Sequence, residues 1–123
     1  MLGRTILAAC AMFATIAGNT AAFDEDAARV AFNNHCRTCH SVKKDDHRLG
    51  PSMYGIYGAS GGQAKGYRGY SGSLTGVTWD ERTLDRFIAD PASVATSTNM
   101  IFPPVADPDE RQRIIDFLKS LRR

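Results

Sequence analysis

The sequence reads as an all-α domain in which long loops take up as much of the chain as the helices. Three observations carry that reading. Apolar residues recur at helical spacing in three separate stretches, each opened by acidic or capping residues. No stretch alternates polar and apolar residues as a strand would. Eleven glycines, mostly between Gly50 and Gly76, mark a turn-rich middle rather than a further regular element.

The first 22 residues read as a cleaved export signal, leaving one domain over residues 23–123. Arg4 supplies the positive start, Ile6 to Gly18 a mostly apolar core, and Thr20-Ala21-Ala22 a small-residue cleavage pattern. The apolar run is shorter than the roughly 20 residues of a membrane-spanning helix, so no membrane anchor is expected. Leu7-Ala8-Ala9-Cys10 also looks like a lipoprotein cleavage site. Too few residues precede Cys10 for a full signal, so Cys10 is read as a small apolar residue of the leader. Export places the chain in the periplasm, an oxidising compartment. The formal net charge is +2, and losing Arg4, the leader's one charge, leaves about +1. That balance gives no case for nucleic-acid binding.

The first helix is expected over Phe23 to Arg37. Asp24, Glu25 and Asp26 suit the positive end of its dipole, and Ala28, Phe32 and Cys36 form one stripe at i, i+4 spacing. Ser41 to Val77 shows no sustained period. A structureless run this long is uncommon in a compact domain unless it wraps something. Thr78-Trp79-Asp80-Glu81 reads as a capping box with Thr78 as N-cap, opening a helix that Pro91 stops. Leu84, Phe87 and Ile88 are its apolar stripe. Asp107 caps the last helix with Pro108 in its first position. Ile114, Phe117, Leu118 and Leu121 recur at i, i+3, i+4, i+7, and Lys119, Arg122 and Arg123 close the negative end.

The chemistry is concentrated in Cys36-Arg37-Thr38-Cys39-His40. Two cysteines three positions apart, followed at once by a histidine, form the signature of covalent haem attachment. On a helical turn positions i and i+3 share a face, so both thiols can reach the two vinyl groups of one porphyrin. His40 can then turn its imidazole onto the iron. A structural zinc site would need four ligands, usually with a second Cys/His pair at suitable spacing, and none follows. A thioredoxin-type pair would sit in a βαβ unit, and no strand precedes the motif. An ordinary disulfide is the remaining rival, and the adjoining histidine weighs against it.

Haem iron bound by His40 needs a sixth ligand. Met53 follows His40 by only thirteen residues, a poor distance for reaching the opposite face, and is read as core filler. Met100 lies sixty residues on, in a loop between two helices, and is read as the ligand. His47, beside Lys43-Lys44-Asp45-Asp46, and His35 are read as surface residues.

On these residues the chain resembles the class I c-type cytochromes, the monohaem family that includes mitochondrial and small bacterial cytochromes c. The likeness runs from Val30 to Leu121. It takes in Cys36 to His40, Leu49-Gly50-Pro51, Gly55-Ile56-Tyr57-Gly58, Gly76-Val77-Thr78-Trp79, Thr98-Asn99-Met100-Ile101-Phe102 and the final helix. It implies a fold in which the N- and C-terminal helices cross and long loops wrap one covalent haem c. It also implies that His40 donates its other ring nitrogen to the Pro51 carbonyl, and that Met100 is the distal ligand. Trp79 and Tyr70 would hydrogen-bond a propionate, and Thr98 would steady the distal side. Met53, Ile56, Leu84, Phe87, Ile88, Phe102 and Leu118 would line the crevice, while Ala28 and Phe32 would cross Ile114 and Phe117. Ala59 stands where the family has an arginine, Phe87 where a tyrosine is frequent, and Ala28 where a glycine is usual.

The function expected from this resemblance is a soluble, monomeric one-electron carrier, not an enzyme, shuttling between transient redox partner proteins. A relay subunit of a larger dehydrogenase or oxidase is the alternative. A small haem enzyme or gas-binding protein with a labile sixth ligand is a more distant one. Lys43, Lys44, Lys65 and Arg68 either ring the haem edge or are scattered solvated charges.

Overall fold

The computed structural model describes residues 21–121, with Ala14, Ala17 and Gly18 before them. Most of the expected leader, Cys10 included, lies outside the described residues, as do Arg122 and Arg123. Three α-helices are described: α1 (Glu25–His35), α2 (Glu81–Ala89) and α3 (Pro108–Ser120), with a 3-10 turn at Pro91–Ser93. The described residues form no strand, only an isolated antiparallel bridge between Ser60 and Thr78.

The Asp24 carboxylate accepts from the Ala27 amide at 3.0 Å and opens α1, meeting amides the first turn leaves unpaired. The helix ends at His35 because Cys36 leaves helical geometry at φ −119°. Asp107 caps α3 in the same way, accepting from Asp109 N at 2.9 Å, and Pro108 occupies the first turn. The two helices pack face to face. Ala28, Ala31 and Phe32 are buried against Ile114, Ile115, Phe117 and Leu118, and the Phe32 and Phe117 rings lie 5.0 Å apart. Ala28 is 1% exposed, so this crossing accommodates a methyl group where the resemblance has glycine.

The start of α2 differs from the expected capping box. Asp80, not Thr78, is the N-cap, its carboxylate accepting from Thr83 N at 2.8 Å. Thr78 is held in extended backbone: it bridges Ser60, while Gly58 N donates to Trp79 O and Trp79 N to Ala59 O. Glu81, freed from a capping role, accepts from Gln112 and from Lys119 on α3. Arg111 completes the α2–α3 connection, donating to Asp85 at 2.7 Å and to the Val105 and Ala106 carbonyls at 2.9 and 2.8 Å.

Candidate haem site

The loops and the three helices enclose a cavity of about 400 Å³. Every pocket residue expected from the sequence borders it. Cys36, Cys39, His40, Pro51, Met53 and Ile56 form one side. Trp79, just before α2, and Leu84, Phe87 and Ile88 on it also line the cavity, as do Tyr70, Thr98, Met100 and Phe102 from the loops. No lysine, arginine, aspartate or glutamate borders the cavity, so its walls carry no formal charge apart from histidine.

The attachment motif sits on the turn that continues α1. Cys39 N and His40 N both donate to the Cys36 carbonyl, at 3.2 and 3.0 Å, which folds the five residues into one tight loop. Burial, aided by the neighbouring Cys39, pushes the Cys36 thiol up to about 12. Among the described residues no group of three His, Cys, Asp or Glu side chains is arranged to hold a metal ion.

His40 is buried at 7% exposure and its Nδ1 lies 2.7 Å from the Pro51 carbonyl. A carbonyl can only accept, so Nδ1 carries the proton and Nε2 keeps its lone pair. Burial lowers the imidazole below its ordinary range, with the Pro51 bond opposing, so the ring is neutral at pH 7. Gly50 makes room for it. A Cβ built on Gly50 would stand 2.2 Å from His40 Cε1 and 2.6 Å from Nδ1. The segment is pinned to the motif by Gly50 N donating to Cys39 O and Met53 N to Ser41 O, both at 2.8 Å.

His47 departs from its expected place on the surface. It is half-buried and bonded at both ring nitrogens, Nδ1 accepting from Ser52 N at 3.0 Å and Nε2 lying 2.8 Å from the Lys65 carbonyl. It ties the segment behind His40 to the glycine-rich strap. His35 is exposed as expected and lies 3.3 Å from Glu110 on α3.

The glycine-rich strap, residues 64–74, borders the cavity through Tyr67, Gly69, Tyr70, Ser71 and Leu74. Tyr67 OH donates to Leu49 O at 2.6 Å, and the Tyr67 and Tyr70 rings meet edge-on at 4.8 Å. Tyr70 OH accepts from Ala64 N at 3.0 Å. At the far end Ser71 Oγ accepts from Asn99 N at 2.7 Å, and Thr98 Oγ1 accepts from Met100 N at 3.1 Å. Gly72 has φ +73°, and a Cβ there would stand 2.6 Å from Thr96 O, so the strap approaches the Met100 loop closely. Tyr67, Ser71 and Gly50 are wall residues to which sequence reasoning gave no role. The tyrosines among the glycines were the available signal, since bulky aromatics in a turn-rich run need something to pack against.

The family model that matches is that of cytochrome c, over residues 25–122. The chain belongs to the cytochrome c family. It is similar to a cytochrome c2 iso-2 of Magnetospirillum molischianum, 36% identical over 88 residues, covering 71% of this chain and 91% of that protein. A cytochrome c of Ginkgo biloba is 32% identical over 99 residues, 79% of this chain and 88% of that protein. Among solved structures, cytochrome cH from Methylobacterium extorquens superposes with a TM-score of 0.69 at 36% identity, covering 79% of this chain and 98% of that one. Cytochromes c carry one covalent haem c and transfer electrons rather than catalyse a reaction, and this chain is an electron carrier of that kind. The donor set fits the group: two thiols and a neutral imidazole share one turn, and a thioether borders the same apolar cavity.

Proposed function

We propose that the chain is a soluble, exported one-electron carrier that exchanges electrons with transient protein partners in the periplasm. The observation that carries this reading is that His40 and Met100 border one cavity that holds no charged lysine, arginine or carboxylate. Cys36 and Cys39 would hold haem c through thioether bonds, and His40 and Met100 would ligate its iron. Bound haem c supplies the Fe(III)/Fe(II) couple. Pro51 keeps Nε2 of His40 available by accepting from Nδ1, and this bond raises the basicity of the ligand. The apolar walls disfavour the extra charge of the oxidised state, and a methionine ligand raises the potential further. With His40 and Met100 both holding the iron, a substrate would reach it only by displacing one of them. Trp79 and Tyr70 would meet the propionates, and Thr98 orders the Met100 backbone. No helix among the described residues is long and apolar enough to cross a membrane.

Potentiometric titration of the exported holoprotein, followed in the visible bands, tests the carrier reading. A single reversible one-electron transition is expected, unchanged by oxygen or peroxide over the course of the titration. Irreversible bleaching or a ligand-dependent potential would contradict it. Acidic organic solvent should leave the colour on the protein; freely extracted haem would rule out the thioether bonds.

A further inference from the structure

No lysine or arginine borders the haem crevice. A second groove, of about 620 Å³, runs behind the attachment turn between α1, the segment after His40 and the end of α3. Arg29, Arg37, Lys43 and Arg48 border it, with Glu25 the one carboxylate in its lining. Cations outnumber carboxylates four to one in its lining, an excess of positive charge. Two carboxylates answer part of it: Glu25 pairs with Arg29 at 2.7 Å, and Asp46 with Arg48 at 3.2 Å while also facing Lys43. Arg37 has no ion pair among the described residues. Val42 and Leu121 give the floor an apolar strip. The groove shares only Phe32 and His40 with the haem crevice.

From this division of charge we infer that the groove binds an acidic segment of a partner protein, separately from electron exchange at the crevice. Its lining draws four cations from α1, the attachment motif and the segment after His40, so carboxylates arranged along a chain match it better than one compact ion does. The apolar strip accepts a side chain between them. A partner held here leaves the uncharged crevice mouth, where Leu49 is 77% and Ile101 93% exposed, open to a second protein. The inference rests on the carrier reading only in that the partner is a protein of the electron-transfer chain.

The test is a titration of the reduced, isotope-labelled holoprotein with a synthetic peptide of glutamates interrupted by single leucines, read as amide shifts at low salt. Saturable shifts at Arg37, Lys43 and Leu121, with none at Leu49 or Ile101, are expected. Lys43→Glu should weaken binding about tenfold or more, since it replaces attraction by repulsion at close range. Lys65→Glu, outside the groove, should change it by less than about twofold because salt screens distant charges. Three results overturn the inference. They are shifts at the crevice mouth instead of the groove, groove shifts reproduced by inorganic phosphate at equal charge, and binding of anionic phospholipid vesicles to the groove where the peptide does not bind. The far-red charge-transfer band of an oxidised aliquot reports axial ligation independently, so failure of the carrier reading is seen separately.

Discussion

Residue by residue, the site depends on how the imidazole of His40 is boxed in. Pro51 fixes its tautomer and Gly50 gives it space. Gly50→Ala should drive the ring off the Pro51 carbonyl, because no flexible side-chain end can yield at 2.2 Å. The expected cost is about 1–3 kcal/mol of stability, as for other overpacked sites. Chemical denaturation of both holoproteins measures it, and an unchanged midpoint would show that the loop relaxes freely. At this scale much was legible in the sequence. The cysteines, His40 and Met100 are marked by residue type and spacing, and the Pro51 bond by resemblance. The role of Gly50 was not, because a glycine required by a neighbouring ring looks the same in sequence as one required by a turn.

The elements depend on one tight crossing and one exposed charge pair. Phe32 and Phe117 meet at the crossing of α1 and α3, with Phe32 2% exposed. Phe32→Ala should cost about 3–5 kcal/mol, read as a lowered denaturation midpoint. A loss below about 1 kcal/mol would mean that the helices close over the gap. Between α2 and α3, Lys119 donates to Glu81 at 2.5 Å. The hydrogen bond from Lys119 and then that from Gln112 hold the Glu81 carboxyl below its usual range. The bond to Glu81 holds Lys119 above its own. A lowered carboxyl stabilises above its unfolded value and loses that contribution as pH falls through the folded one. A raised ammonium stabilises below its unfolded value of 10.5 and loses it at higher pH. Both groups are more than a third exposed, so the pair should contribute only about 0.5 kcal/mol. Lys119→Met should therefore destabilise slightly at pH 7 and not at all near pH 3; an equal effect at both would assign Lys119 a packing role over the Tyr57 ring, 5.3 Å away. The apolar periods and acidic starts showed all three helices. The cap of α2 was misread because Thr78-Trp79-Asp80-Glu81 offers two overlapping caps. The choice is made by the bridge to Ser60, a contact eighteen residues distant that local pattern does not contain.

For the molecule as a whole, the loops border the crevice and are tied to one another by bonds between distant residues. That is why the long middle segment had no pattern to read: its turns answer to a cofactor and to distant partners such as Ser71 with Asn99. It also predicts that attachment and folding are one event. An unfilled crevice of about 400 Å³ leaves its apolar walls without packing partners. A small domain has only about 5–15 kcal/mol of stability to set against that loss. A Cys36→Ser, Cys39→Ser variant should lack cooperative thermal unfolding in circular dichroism, and a sharp transition near that of the holoprotein would refute the coupling. In the proposed reading His40 and Met100, which border one cavity, would close the haem on both faces and make it a carrier rather than a catalyst. The most direct measurement is the far-red absorption of the oxidised holoprotein, where sulfur-to-iron charge transfer gives a weak band. The band should be present in the native protein and absent in Met100→Ala, with the haem still covalently attached. Its absence from the native protein, or its survival in Met100→Ala, would contradict the account.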